Sequence, residues 1–135
     1  MIEFNFKSQI ATTIEQSERL IALGLRKETA DMVHYRLSSM NAWGILAMSW
    51  RDDCEGRRCY YPAWSLNRLI EMMPLDVIPE GGFDNCFTLI KNYPKGYAVE
   101  YDGFSYYYKE NIYDTIIEGI EHLIKEGYFN KEYLV

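Results

Sequence analysis

The segment Pro62-Ala-Trp-Ser-Leu-Asn-Arg-Leu-Ile-Glu-Met-Met-Pro74 contains the signals for the start, the buried face and the end of one short helix. Ser65 is predicted to cap this helix, because a serine hydroxyl accepts a hydrogen bond from the unpaired N–H groups of a first turn. Trp64 precedes the cap and Leu69 takes the fourth helical position, which is the spacing of a hydrophobic staple. Apolar residues recur with helical spacing at Leu66, Leu69, Ile70 and Met73. Pro74 disfavours helical geometry in the residue before it, so the helix should end there.

Two longer helices are predicted near the two ends of the chain. Thr12 and Thr13 offer capping boxes for the first helix, and Gly24 offers the left-handed residue that would end it. Asn111 is predicted to cap the second helix and Gly127 to end it. The apolar stripe of this last helix consists of Tyr113, Ile116, Ile117, Ile120, Leu123 and Ile124. A stripe of this width predicts that the last helix covers one face of a sheet.

A three-stranded antiparallel meander is predicted in the second half of the chain. The sequence Tyr93-Pro-Lys-Gly96 predicts its first turn, and Asp102-Gly103 predicts a two-residue type I′ hairpin. That hairpin would place Val99 opposite Tyr106, with both side chains on the covered face, and would leave Tyr107 on the face that meets water.

Together these elements predict a small α+β fold with a single domain over residues 1–135. N-terminal helices precede the meander, and the C-terminal helix packs on one sheet face. Pro79-Glu-Gly-Gly82 would separate a helical first half from a strand-rich second half. The alternation in Ile2–Phe6 predicts a short strand or a docked extended arm, and Lys27–Met32 predicts one more helical turn. Residues 34–50 show no decisive period and are assigned no element.

Charge and composition narrow the classes of partner. The 135 residues are 48% hydrophobic, which is enough for one core. The formal net charge of -6 disfavours nucleic acid, because such binding relies on clustered lysine and arginine. No window approaches the roughly 18 apolar residues of a membrane span, so we predict no membrane partner. Met1–Lys7 lacks the pattern of a secretory leader, which favours a cytoplasmic location.

The cysteines and histidines do not form a recognised metal site or nucleophile. The candidates are Cys54, Cys59, Cys86, His34 and His122. Only Cys54 and Cys59 lie close in sequence, so we predict reduced thiols and no metal, with a Cys54–Cys59 disulfide as the alternative. A cysteine nucleophile needs a base, and nothing in the sequence places a histidine beside a thiol. We therefore predict no catalytic residues, no cofactor and no enzymatic activity.

Two pairs of carboxylates are candidates for general acids or metal ligands. These are Asp52-Asp53 and Glu118 with Glu121. Neither pair lies in a catalytic pattern or a calcium-loop pattern. We interpret both as solvated surface groups of an acidic protein.

The mixed-charge segment Arg51–Tyr61 is predicted to form an exposed loop, because its charges are costly to bury. Arginine, tyrosine and tryptophan dominate binding hot spots. The predicted binding residues are Arg57, Arg58, Tyr60, Tyr61 and the nearby Trp50. The competing interpretation is a solvated loop whose aromatic side chains fold back onto the core. The favoured function is a non-enzymatic protein-interaction module that binds a protein partner through this loop.

Two other interactions remain open. Leftover apolar surface on Ala42–Trp50 would allow a symmetric homodimer. Tyr107 on an exposed sheet face would allow stacking on single-stranded nucleic acid, which makes a nucleic-acid accessory protein the alternative function.

Four segments together carry a resemblance to a known group of proteins. They are Thr-Thr-Ile-Glu-Gln-Ser-Glu-Arg-Leu at 12–20, Thr-Ala-Asp-Met at 29–32, Pro-Ala-Trp-Ser-Leu at 62–66 and Leu-Ile-Lys-Glu-Gly-Tyr at 123–128. On these segments the chain resembles short uncharacterised proteins carried by phages and mobile elements of gut bacteria. The resemblance implies a bacterial cytoplasmic setting, and it implies no particular chemistry. An accessory role in a mobile element is the expectation that fits both the resemblance and the predicted loop.

Overall fold

Helices and antiparallel sheets alternate along the chain, which confirms the predicted α+β class. The computed structural model describes residues 1–4, 8–77, 85–91, 96–101 and 106–135. Its helices are α1 (Ile14–Ala22), α2 (Leu66–Met72) and α3 (Ile112–Glu126). Its strands are β1 (Met32–Tyr35), β2 (Gly44–Leu46), β3 (Tyr60–Ala63), β4 (Asp76–Val77), β5 (Asn85–Lys91), β6 (Tyr97–Tyr101) and β7 (Tyr106–Lys109).

All three helices begin at the predicted capping residues. The Thr13 hydroxyl accepts the Gln16 N–H while the Gln16 side chain accepts the Thr13 N–H, which completes the capping box of α1. The hydroxyl of Ser65 caps α2, and the side-chain oxygen of Asn111 caps α3. Gly127 adopts φ +79° at the end of α3, as the predicted stop requires.

The first half of the chain contains a sheet that the sequence did not predict. β1 lies at its centre and pairs antiparallel with β2 on one side and with β3 on the other. The predicted division into a helical first half and a strand-rich second half is therefore wrong, because the first half also contains this sheet. Its strands are three or four residues long, and the proline at position 62 argued against a strand in Tyr60–Ala63. Proline is tolerated there because β3 is an edge strand of this sheet.

The second sheet has the order β4-β5-β6-β7, so the predicted meander gains the two-residue strand β4. The predicted hairpin register is wrong by one residue, because Val99 pairs with Tyr107 and Glu100 pairs with Tyr106. Five residues lie between the paired residues Glu100 and Tyr106, whereas the predicted register would leave four between Glu100 and its partner. The segments 92–95 and 102–105 lie outside the described residues, but Gly96 has the positive φ expected of it.

Shorter predictions had mixed outcomes. The helical turn predicted for Lys27–Met32 is present as a 3-10 turn at Lys27–Thr29, but Met32 belongs to β1 instead. Residues 1–4 belong to no strand, and Phe4 is exposed, so the predicted N-terminal strand is absent from them. The rest of that prediction, at residues 5–7, and the predicted joint at Pro79–Gly82 lie outside the described residues.

The hydrophobic core takes side chains from both sheets and all three helices. Leu20 of α1, Val33 of β1 and Leu69 of α2 are fully buried in it. Val99 of β6 and Ile117 of α3 belong to the same cluster. α3 contacts β6 and β7, as predicted for a helix that covers the second sheet.

Candidate binding cleft

The segment between β2 and β3 is held in place by turns and one buried side chain. A 3-10 turn spans Asp52–Cys54, and the Cys54 side chain is buried in the core. Gly56 follows with φ +78°, a conformation that glycine adopts readily. The Arg57 N–H then donates to the Cys54 carbonyl at 3.2 Å, and the Tyr60 N–H donates to the Arg57 carbonyl at 3.2 Å. The segment is thus an ordered loop whose last two residues, Tyr60 and Tyr61, belong to β3. The prediction of an irregular loop as far as Tyr61 is wrong at these two residues.

This segment borders a cleft of about 470 Å³, which we call the arginine cleft. Its lining consists of Ile21, Lys27, Trp50, residues 55–58 and residues 60–62. The volume falls within the range of about 300–1,000 Å³ that is usual for ligand pockets. All five residues predicted to bind a partner contribute to the lining, so the structure brings them together around one concavity.

Within the cleft lining, one carboxylate joins two other side chains. Glu55 Oε1 accepts a hydrogen bond from Lys27 Nζ at 3.0 Å, and its Oε2 accepts one from Trp50 Nε1 at 3.1 Å. Lys27 Nζ also lies 5.6 Å from the centre of the Trp50 ring, within the range of a cation–π contact. The hydrogen bonds from Lys27 and Trp50 lower the pKa of Glu55. The charges of Lys27 and Glu55 therefore compensate one another.

The two arginines of the cleft have no such compensation. Arg57 and Arg58 are exposed, and neither guanidinium forms a hydrogen bond or an ion pair with another described residue. By contrast, Arg51 at the start of the segment pairs with Asp53 at 3.4 Å. The cleft therefore offers two unpaired cations, although the whole chain carries a net charge of -6.

The aromatic residues of the cleft differ in how much surface they offer. Trp50 is only 7% exposed and belongs to the hydrophobic core. For this residue the structure agrees with the competing interpretation, in which the aromatic side chains fold back onto the core. Tyr60 and Tyr61 are half-buried residues of β3, and Tyr60 also packs against the core. Burial, with the charge of Glu18 adding to it, raises the pKa of the Tyr61 phenol. The two tyrosines thus combine an anchored position with accessible surface.

Sequence analysis did not predict the cleft residues that lie far from the loop along the chain. Ile21 comes from the end of α1, and Lys27 comes from the turn that follows it. Ile21 and Lys27 precede Arg51, where the predicted loop begins, by 30 and 24 residues, and no periodicity or motif links them to the loop. The spacing of opposite charges on a helix face is a usable signal only within one element, so it gave no indication of the contact between Lys27 and Glu55.

The described cysteines and histidines form neither a disulfide nor a metal-ligand cluster. Cys54 and Cys59 are free thiols, so the alternative of a disulfide between them is not realised, while the Cys86 side chain lies outside the described residues. His34 is buried in β1, where Nε2 donates to the Thr12 carbonyl at 2.7 Å. His122 lies on α3. In the described ranges, no three His, Cys, Asp or Glu side chains are grouped as metal ligands would be.

The carboxylate pair on α3 has a structural partner. Arg19 Nη2 lies 3.0 Å from Glu118 Oε2 and 2.6 Å from Glu121 Oε2, which ties α1 to α3. Hydrogen bonds from Arg19 and Lys125 lower the pKa of Glu121. These carboxylates serve an ion-pair network between two helices.

A second concavity of about 460 Å³ lies where α3 begins. Its polar groups bond to one another: Asn111 Nδ2 donates to Gln9 Oε1 at 3.0 Å, and the Tyr113 hydroxyl donates to the Gln9 carbonyl at 3.3 Å. Because these groups already have partners, this concavity has less capacity than the arginine cleft to bind a polar ligand.

The residue proposed for base stacking lies at a different register position from the one predicted. Tyr107 pairs with Val99, whose side chain is fully buried. The side chain of Tyr107 itself lies outside the described residues. The hypothesis placed Tyr107 on the opposite sheet face from Val99, whereas directly paired residues of antiparallel strands lie on the same face.

No helix in the described part of the chain has both the length and the apolar character needed to cross a bilayer. No family model, curated protein or solved structure matches this chain. The geometry of the arginine cleft is thus the basis for a functional proposal.

Proposed function

We propose that the protein is a non-enzymatic binding protein that holds a partner polypeptide in the arginine cleft. The observation that carries this proposal is the presence of two unpaired guanidinium groups beside the half-buried Tyr60 and Tyr61 in one concavity. Arginine and tyrosine are among the residue types enriched at the hot spots of protein interfaces, because each combines a large apolar area with directional hydrogen bonds. An accessory role in a mobile element is part of the proposal and rests on the resemblance.

The test compares two double variants in affinity capture from a lysate of the organism that carries the gene. Arg57→Glu, Arg58→Glu reverses both cleft charges. Lys91→Glu, Lys109→Glu makes the same change in charge at exposed positions of β5 and β7. Retained polypeptides are identified by mass spectrometry, and the purified partner is then titrated against each form of the protein.

We expect the native chain and the Lys91, Lys109 variant to retain the same polypeptide, with at least about a tenfold loss of affinity for the Arg57, Arg58 variant. The cleft arginines have no side-chain partners to lose, so their reversal should change the free energy of unfolding by only about 0.5 kcal/mol. Equal binding by both double variants would remove the arginine cleft from the proposal.

A second candidate interaction is a symmetric homodimer through β2. This strand lies at the edge of its sheet, and the exposed apolar side chains Trp43, Ile45 and Leu46 lie on or beside it. Leu37, in the connection between β1 and β2, is 51% exposed as well. An exposed edge strand with apolar side chains is a site for pairing with another chain.

A further inference from the structure

The unpaired charges identify the polar chemistry that the arginine cleft fits. The other cleft cation, Lys27, is compensated by Glu55, whereas Arg57 and Arg58 are adjacent, exposed and without a partner among the described residues. A guanidinium presents a planar fork of donors that matches a carboxylate, and charge-assisted bonds of this kind are roughly twice as strong as neutral ones. Adjacent side-chain carboxylates on a partner would therefore be the complementary groups.

The rest of the lining is suited to one planar apolar group. Tyr60, Tyr61 and Pro62 border the cleft on β3, and Ile21 borders it from α1. Aromatic rings in contact with tyrosine gain stabilisation beyond the burial of their area. A cleft of about 470 Å³ has room for a few side chains and not for the face of a folded domain. The ligand that fits this lining is thus a short peptide segment with one aromatic side chain.

Recognition through backbone pairing is blocked at the strand that borders the cleft. The Arg36 N–H donates to the Cys59 carbonyl, which fixes the alternation of hydrogen bonds along β3. The backbone groups of Cys59, Tyr61 and Ala63 therefore bond to β1 or its continuation. The backbone groups of Tyr60 and Pro62 face the outer edge. At that edge the Tyr60 N–H is used by the Arg57 carbonyl, and proline at 62 has no N–H. A partner backbone therefore finds no donor on β3, and selectivity has to come from side chains.

The same lining disfavours phosphate chains. Glu55 places a carboxylate in the cleft, and only two cations remain uncompensated there. Nucleic-acid affinity grows with the number of phosphates that are neutralised, and the net charge of -6 opposes the approach of a polyanion. A peptide segment with one or two carboxylates carries less negative charge, so Glu55 and the net charge of the chain oppose its binding less strongly.

We infer that the arginine cleft selects a short acidic peptide segment that carries one aromatic side chain, with its carboxylates on Arg57 and Arg58 and its ring against Tyr60 and Tyr61. This inference rests on the proposed function, since it names the chemistry of the polypeptide that the cleft holds.

The test is an unbiased selection of random short peptides displayed against the native chain. The enriched peptides are synthesised with a fluorescent label and titrated by anisotropy. The proteins titrated are the native chain, Arg57→Glu with Arg58→Glu, the matched Lys91→Glu with Lys109→Glu, and Tyr61→Ala. Tyr61 is chosen because it lies outside the core cluster, so its truncation should leave the fold intact. A single-stranded oligonucleotide and tripolyphosphate serve as competitors.

We expect enriched peptides to combine Asp or Glu with a Phe, Tyr or Trp. Replacement of the peptide carboxylates by amides, and reversal of both cleft arginines, should each weaken binding about tenfold or more, while the matched control binds like the native chain. Peptides that lose binding with Tyr61→Ala but contain no acidic residue would overturn the inference and leave the proposed function standing. Displacement of the peptide by the oligonucleotide at lower concentration than by unlabelled peptide would also overturn it. Failure to enrich any peptide that depends on Arg57, Arg58 or Tyr61 would overturn both.

Discussion

Glu55 is on the surface, yet two neighbours hold its carboxylate in one place. Its side chain is 58% exposed, with Lys27 bonded to one oxygen and Trp50 bonded to the other. The hydrogen bond from Lys27 is the main cause of its lowered pKa, and the one from the Trp50 indole adds to it. A carboxyl group whose pKa is lowered by folding stabilises the folded state above its ordinary value of 4.5, and this contribution is lost as the pH falls through the lowered pKa.

This sign predicts how the Trp50 indole N–H responds to acid. In a titration followed by NMR, its resonance should shift as Glu55 accepts a proton, with a midpoint below 4.5. The Glu55→Gln variant should lack this step, because an amide does not titrate in this range. A midpoint at or above 4.5 in the native chain would contradict the contact between Lys27 and Glu55.

Sequence analysis identified the arginines and tyrosines that the loop and β3 contribute to the arginine cleft. Arg57, Arg58, Tyr60 and Tyr61 could be chosen because their residue types dominate binding surfaces and they lie close together in the chain. Lys27 could not, because its contact with Glu55 depends on how the end of α1 meets the loop. Trp50 was assigned to the same surface, but its burial makes it a wall of the cleft more than a contact for a partner.

Among the elements, α2 depends on a residue far away in the sequence. The Ser65 hydroxyl accepts the Arg68 N–H at 3.1 Å, which is the predicted cap. The same hydroxyl donates to Asp31, and the Ser65 N–H donates to Asp31 Oδ1 at 2.8 Å. The cap thus fixes the start of α2 to the residue that precedes β1.

Substitutions at Ser65 test this double role. Ser65→Ala should lower the free energy of unfolding by about 1–2 kcal/mol, since the helix loses its cap and Asp31 loses a donor. Aspartate is ordinarily as good a cap as serine, but Ser65→Asp should be no more stable than Ser65→Ala at neutral pH, because two carboxylates would meet. Urea denaturation measures both variants, and Ser39→Ala, at an exposed turn, is the control. Native stability in Ser65→Asp would mean that Asp31 does not depend on this hydroxyl.

Helix ends were predictable, while the first sheet and the hairpin register were not, for one physical reason. A cap or a left-handed glycine depends on chemistry within four or five residues, as at Thr13 and Gly127. β1 pairs with β3 across a separation of some thirty residues, and neither strand is long enough to show a period. The pairing of Val99 with Tyr107 depends on a connection one residue longer than the shortest hairpin, a difference that Asp102-Gly103 does not encode.

For the whole molecule, the proposed homodimer depends on the open edge of β2. Odd-numbered residues of β1 bond to Gly44 and Leu46, so the N–H and C=O of Ile45 face the open edge. Two copies related by a two-fold axis can exchange these groups at Ile45 while their apolar side chains meet. This arrangement would bury the surface that Trp43, Ile45 and Leu46 expose.

We expect light scattering at high protein concentration to give twice the monomer mass for the native chain. Ile45→Lys should give the monomer mass, because a charge at the centre of the pairing edge would be desolvated. Leu75→Lys places the same change at another highly exposed apolar residue, distant in sequence from β2, and should leave the mass unchanged. A native chain that stays at the monomer mass would remove the homodimer from consideration.

The outer edge of β3 limits how many chains could join through the first sheet. Pro62 lacks an N–H there, and the N–H groups of Tyr60 and Trp64 are already bonded. Continuous stacking of chains into a ribbon requires two edges of one sheet that can each accept a further strand. The first sheet has such an edge only at β2, so association through it terminates once a single pair has formed. We therefore expect Pro62 to disfavour the growth of fibres through this sheet, because it denies a further strand a hydrogen-bond donor at that edge.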